Sequence, residues 1–260
     1  MQLFSLYMYI GINKIEMRKH SNRLWAVAIL LFIAFFTSCA KGDLSKIQSF
    51  PSGLGEGGVP GSNISFLSVI HAAPKIGALD IALDANRLYL NLFNYTYRVD
   101  YFRIPSGVHA FSVYQASGIN TLTDKNLKLE ENKYYSIFIT DTLSKMDAVV
   151  FRDSSRAPGT DSVRVRFANL SPNVGKVDLY LRYGSTPIAK NIGYKQISEF
   201  VSVKAANDVV FEVSPAGERT VWAITNKMNL SNGNIYTIWT TGFISMTTDD
   251  GKIRAEAIRH

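Results

Sequence analysis

The sequence predicts an all-β fold: two tandem β-sandwiches of the immunoglobulin or fibronectin kind, behind a signal peptide and a flexible tether. Three observations carry this. The chain repeats itself after about a hundred residues, and its apolar residues alternate with the two-residue period of strands. In each copy, too, a Leu precedes by six residues a Tyr that opens an apolar strand.

The first element is the signal. Residues 24–36 form an uninterrupted apolar run, LWAVAILLFIAFF, with Arg18, Lys19 and Arg23 before it and the small residues Thr37 and Ser38 after it. That order is the n-region, h-region and cleavage site of a secretory signal. As a helix the run would rise only about 20 Å against a hydrocarbon core of about 30 Å, so a permanent span fits poorly. Met17 is the natural start, which makes residues 1–16 an upstream extension. The chain's one cysteine, Cys39, follows at once in Phe36-Thr37-Ser38-Cys39, which resembles the lipobox of bacterial lipoproteins. A lone cysteine makes no internal disulfide, and its place suits a lipid acceptor. Phe36 departs from the usual Leu, Val or Ile, and a cut after Ala40 by ordinary signal peptidase would leave a secreted product instead. The formal charge of +7 falls to +4 once the signal is removed, since 24 basic and 20 acidic residues follow it. These are mixed along the chain, which argues against a nucleic-acid partner.

Residues 39–62 are rich in Gly, Pro and Ser without apolar periodicity, as in a tether. Copy 1 is expected over 63–156 and copy 2 over 161–260. Residues 68–83 align without a gap with 166–181, placing Pro74, Gly77 and Asp80 opposite Pro172, Gly175 and Asp178, and His71 opposite Asn169. In copy 1 the strands are expected at 65–70, 79–83, 99–104, 110–114 and 135–139. In copy 2 they are expected at 163–168, 177–183, 200–203, 209–213, 221–225 and 236–240. Turn residues such as Pro105-Ser-Gly107 separate them. The pairs Leu129/Tyr135 and Leu230/Tyr236 have the spacing of a tyrosine corner, in which the hydroxyl bonds back to the crossing loop and the Leu fills one end of the core.

The stretch from Ser68 to Pro74, then Leu79-Asp80-Ile81, a Tyr-x-x-x-Pro-x-Gly step over 101–107, and Leu129, Tyr135 and Ile137 together resemble the bacterial domain of unknown function family 4397. The resemblance covers residues 63–156 well and copy 2 more loosely. It implies a secreted or lipid-anchored β-sandwich, many such proteins being from Bacteroidetes, and it implies no activity.

No catalytic constellation stands out. His71 ahead of the Pro74 turn, with Asp80 as an orienting partner, could draw a functional reading. A structural role in the turn is preferred because Asn169 fills the matching place. There is no clustered metal-ligand spacing and no Gly-x-Ser-x-Gly elbow, and no cofactor is expected. Phe93, Tyr95 and Tyr97 are candidate ligand-contact residues, as stacking faces or as packing along a strand edge. Three functions follow. The first is a non-catalytic, lipid-anchored binding or adhesion module for a glycan or an envelope protein, held at the outer membrane on its periplasmic or surface face. The second is a structural spacer of an envelope assembly, and the third a hydrolase with its site at the domain junction. Oligomeric state is left open.

Overall fold

The computed structural model describes residues 63–88, 93–154 and 158–260. The expected signal peptide, Cys39 and the tether lie outside the described residues. Copy 1 runs through β1 (Ile64–Ala72), β2 (Leu79–Leu83), β3 (Asn86–Leu88), β4 (Arg98–Pro105), β5 (Gly107–Gln115), β6 (Thr121–Leu129), β7 (Tyr134–Thr140) and β8 (Asp147–Arg152). Copy 2 runs through β9 (Ser162–Asn169), β10 (Val177–Leu181), β11 (Ala189–Ile192), β12 (Gln196–Ile197), β13 (Val201–Lys204) and β14 (Ala206–Val209). It continues with β15 (Phe211–Pro215), β16 (Ala223–Ile224), β17 (Met228–Leu230), β18 (Ile235–Thr241) and β19 (Arg254–Arg259). The described chain is almost wholly β, as its period-two patterning requires.

Each copy supplies two main sheets. In copy 1 the orders are β4-β1-β7-β8 and β3-β2-β5-β6; in copy 2 they are β12-β9-β18-β19, with β13 also on β9, and β11-β10-β15-β16. The opening strand of each copy pairs in parallel with its late strand, β1 with β7 and β9 with β18. Inward residues of the two sheets in copy 2, among them Val165, Phe167, Leu179, Phe211, Val213 and Ile238, form one core.

The β1 and β9 sheets are buried on their other faces as well. Ile70, Ala72 and Phe138 of copy 1 pack against Ala168, Leu170, Trp239 and Ile258 of copy 2 in a shared apolar cluster. Burial on both faces explains why β1 and β7 read as almost continuous apolar runs while β5 alternates. All described residues accordingly fall within one compact unit.

A closed ring of polar side chains seals one edge of this shared layer. Arg166 pairs with Asp153, both nearly inaccessible, and donates through Nε to the Thr237 hydroxyl at 2.9 Å. Thr237 bonds the His260 Nε2 at 2.7 Å, His260 Nδ1 bonds the Tyr101 hydroxyl at 2.7 Å, and Tyr101 donates to Asp153 at 2.6 Å. Ser136 donates a further bond to Asp153 at 2.8 Å. The ring alternates donors and acceptors if Nδ1 of His260 carries the proton. Burial holds the imidazole neutral, with its pKa lowered to about 4, and pushes the Tyr101 hydroxyl well above its ordinary value.

The repeated turn residues occupy matching places. His71 Nε2 lies 3.0 Å from the Gly77 carbonyl, and its Nδ1 accepts from the Ala73 N–H at 3.3 Å. Asn169 does the same with its amide, donating to Gly175 O at 3.0 Å and accepting from Ser171 N at 3.1 Å. Both imidazole nitrogens therefore serve backbone, and Asp80 does not orient the ring. Asp80 instead accepts from Arg87 at 3.0 Å and from Ser117 N at 3.2 Å, and Asp178 accepts from Asn191 N and Gly217 N at 2.7 and 2.9 Å. Pro74 and Pro172 each open the turn between the first two strands of their copy. The Tyr135 hydroxyl accepts from Glu130 N at 3.0 Å, and that of Tyr236 accepts from Ser231 N at 3.1 Å, with Leu129 and Leu230 buried beside them.

Candidate functional site

The two copies differ most where the edges of their sheets meet. In copy 1, β6 pairs with β5 along its whole length, and Lys125 reaches from it across the seam to β8, donating to Ala148 O at 2.7 Å and facing Asp147 at 3.4 Å. In copy 2 the matching hairpin is broken. β14 and β15 are separated at Val210, and the returning strand survives only as the short pieces β16 and β17. At the place of Lys125 stands Thr225, whose hydroxyl turns back to accept from Phe211 N at 3.0 Å. Thr225, so turned, makes no bond to β19, and a groove lies along the seam between β16 and β19.

The opening is a groove of about 650 Å³. One wall is apolar: Val221 and Ile224 are 44% and 46% exposed, and Trp222 rests against the copy 2 core with part of its surface in the groove. The opposite wall is β19, which presents Arg254 and Glu256. Arg254 is anchored by Asp249 O at 2.8 Å, lies over the Tyr95 ring at 5.5 Å and faces Glu256 at 3.7 Å. Burial raises the Glu256 carboxyl above its usual range, against the pull of Arg254. Among the described residues lining the groove, Glu256 is the lone carboxylate. Acid–base hydrolysis of a glycosidic bond ordinarily takes two. The groove thus has Val221, Trp222 and Ile224 along one side and the charged residues Lys252, Arg254 and Glu256 along the other.

Sequence reasoning placed its candidate aromatics elsewhere. Phe93 is 3% exposed and packs on the His71 ring at 5.6 Å, so it has no face for a ligand. Tyr95 is half-buried, 6.1 Å from the same imidazole, and its hydroxyl is pushed up to about 12 by burial. Tyr97, 44% exposed, alone among the three opens substantially to solvent. Trp222, Arg254 and Glu256 were missed. The equivalence of Lys125 and Thr225 comes from the strand ladders, where they sit opposite Phe111 and Phe211, and not from the sequence, whose aligned stretches do not reach them. Among the described residues no three His, Cys, Asp or Glu side chains are grouped to hold a metal ion.

No curated protein matches the sequence. Among solved structures, the chain is similar to a family 41 carbohydrate-binding module from streptococcal virulence factors, reported for alpha-glucan recognition. The identity is 12% and the TM-score 0.23, covering 74% of this chain and 96% of that one. It is also similar to CBMbc, a family 26 module of Eubacterium rectale Amy13K in complex with maltoheptaose, at 11% identity and a TM-score of 0.24, covering 75% and 96%. A third structure, reported for alpha-glucan binding by a streptococcal virulence factor, shows 14% identity and a TM-score of 0.23, covering 73% and 96%. The model of the domain of unknown function family DUF4397 matches residues 65–180, through copy 1 and into β10 of copy 2, which supports the resemblance read from the sequence.

Proposed function

We propose that the chain is a non-catalytic binding module of the cell envelope, lipid-anchored through Cys39, that takes a glycan in the groove between β16 and β19. The observation that carries this is the asymmetry of the copies: one seam is bridged by Lys125, and the equivalent seam is left open beside Trp222. A pyranose ring lays its C–H face on an aromatic side chain, and its hydroxyls bond to groups such as Arg254 and Glu256. The groove is open and has one carboxylate, which suits retention of a sugar better than its cleavage.

A glycan-array screen of the full chain in detergent tests the reading. Retention of at least one glycan is expected, weakened at least tenfold by Trp222→Ala. Failure to retain any glycan, or unchanged retention by the variant, would sink it. The anchor has its own test: Cys39→Ala should abolish labelling with a palmitate analogue and release the chain from membranes. A variant that still fractionates with membranes refutes the lipid reading. The spacer reading is favoured by the apolar layer and polar ring that join the copies, since both resist bending between them. An array on which no glycan binds would leave that reading as the better one.

A further inference from the structure

A pocket of about 350 Å³ opens where Thr96 and Arg98 of copy 1 meet the second half of β19. Ile70, Trp239, Glu256 and Ile258 complete its lining, and Glu256 lines the β16–β19 groove as well. The strand ladder builds the pocket. Trp239 on β18 stands directly opposite Glu256 on β19, and such cross-strand partners share one face of a sheet. Ile258, two residues on, lies on that face too, and Ile70 and Phe138 of copy 1 pack against it. Thr96 adds strain to the lining: its φ of +71° is an outlier for a β-branched residue, of the kind that collects at binding sites. Bonds from Thr96 N to His71 O at 2.8 Å and from Tyr97 N to Asn94 O at 2.9 Å hold it there.

The polar groups of the pocket differ in what they have left to give. The indole of Trp239 is 1% exposed and its Nε1–H has no hydrogen-bond partner, although a buried donor ordinarily finds one. Its ring packs against Phe138 at 5.6 Å, so it offers an N–H rather than a stacking face. Glu256 lies 3.7 Å from Arg254, too far for a close hydrogen bond, and a carboxylate has lone pairs for several. Arg98 is committed to Arg259 O at 3.0 Å and to Asp100. A donor, an acceptor and the aliphatic surface of Ile70 and Ile258 remain. An acetamido group asks for those three. Its carbonyl accepts from the indole N–H, its own N–H donates to the carboxylate, and its methyl rests on aliphatic carbon. A hydroxyl in its place has no methyl to bury.

We propose that this pocket takes the acetamido group of an N-acetylated amino sugar, with Trp239 Nε1 and Glu256 as its polar contacts. The proposal rests on the β16–β19 groove being a sugar site and names the class of sugar. Glu256 joins the two openings, so one oligosaccharide lies against Trp222 with an acetamido group turned into the pocket.

Tri-N-acetylchitotriose, its fully deacetylated form and cellotriose share one backbone and differ at the second ring carbon, which carries an acetamido, ammonium or hydroxyl group. Each is titrated into the isotope-labelled full chain in detergent, with indole N–H signals followed by NMR and affinity by calorimetry. The chain has three tryptophans, and Trp239→Phe identifies the Trp239 signal by its loss. Tri-N-acetylchitotriose should move that signal to saturation and bind at least tenfold more tightly than the other two. Glu256→Ala should weaken its binding at least tenfold, at a melting temperature close to that of the unmodified chain, and Glu256→Gln, which keeps an acceptor oxygen, should lose less. Free N-acetylglucosamine should move the Trp239 signal equally in the unmodified chain and in Trp222→Ala, which separates the pocket from the groove. A glycan array with binders, but no preference for the acetylated trisaccharide over cellotriose, would overturn acetamido recognition and leave the sugar groove standing. Equal binding of the deacetylated form would reduce the preference to charge attraction and overturn the proposal, as would a Trp239 signal that the acetylated sugars leave unmoved. An array without binders, with a Trp239 signal that N-acetylglucosamine still moves, would sink the groove and support the pocket.

Discussion

Replacing His71 by Asn should change how stability depends on pH while leaving the fold intact. His71 is inaccessible, and its Nδ1 must accept from Ala73 N–H, so a proton there would set one donor against another. Burial lowers its pKa from 6.5 to about 4, with the bond to Gly77 O pulling weakly the other way. The sign follows directly. Above pH 6.5 the ring is neutral in both folded and unfolded chains and contributes no pH dependence. As pH falls below 6.5 the unfolded chain takes up a proton that the folded chain refuses, so stability drops until about pH 4. Each pKa unit is worth about 1.4 kcal/mol, so the window removes about 3 kcal/mol. Asparagine makes the same two backbone bonds at position 169 and has no proton to gain. His71→Asn should therefore lose about 1–2 kcal/mol at neutral pH, from the space left beside Phe93. Below pH 6.5 it should fall less steeply than the unmodified chain. Urea unfolding followed by tryptophan fluorescence between pH 7.5 and 4 measures both curves. The His260 contribution and the carboxylates are common to the two chains and cancel in the difference. Parallel curves would refute the assignment of an acid-labile neutral imidazole to this turn.

Asp153→Ala should destabilise the chain by about 3–5 kcal/mol, because it strands the buried Arg166 charge, whereas Asp153→Leu combined with Arg166→Met should recover most of that loss. Urea midpoints of the three chains decide it, and an Asp153→Ala midpoint equal to the unmodified one would show that the ion pair adds nothing. Gly242 has φ +86°, and a Cβ there would lie 2.2 Å from Lys252 O. Gly242→Ala should therefore lower stability by about 3 kcal/mol, read as a fall in melting temperature; an unshifted melt would mean that the 242–252 loop yields freely.

Much of the fold was legible because strand periodicity is local. β2 coincides with the expected 79–83, and β1 and β7 extend their expected runs by a few residues. What was not legible depends on partners. β19, Arg-Ala-Glu-Ala-Ile-Arg, has weak strand propensity and exists because β18 pairs with it along its length. The expected strand at 221–225 shrinks to Ala223–Ile224, and Phe200 falls in a bulge rather than in the strand expected from it, because both depend on the ladder opposite. The stacking of the copies was hinted at by the unbroken apolar runs, but such a run does not name the surface that covers it. The candidate groove joins side chains about thirty residues apart in sequence, one wall from an interrupted hairpin and the other from an edge strand.

The shared layer of Ile70, Ala72, Phe138, Ala168, Leu170, Trp239 and Ile258 also makes each copy depend on the other for cover. Ile70, Ala72 and Phe138 have their cover from Trp239 and Ile258, which lie a hundred residues or more later in the chain. Three residues of that layer come from copy 1 and four from copy 2, and Ile258 lies on β19, the strand that also lines the candidate groove. One strand thus serves both the candidate groove and the cover of the copy 1 apolar face.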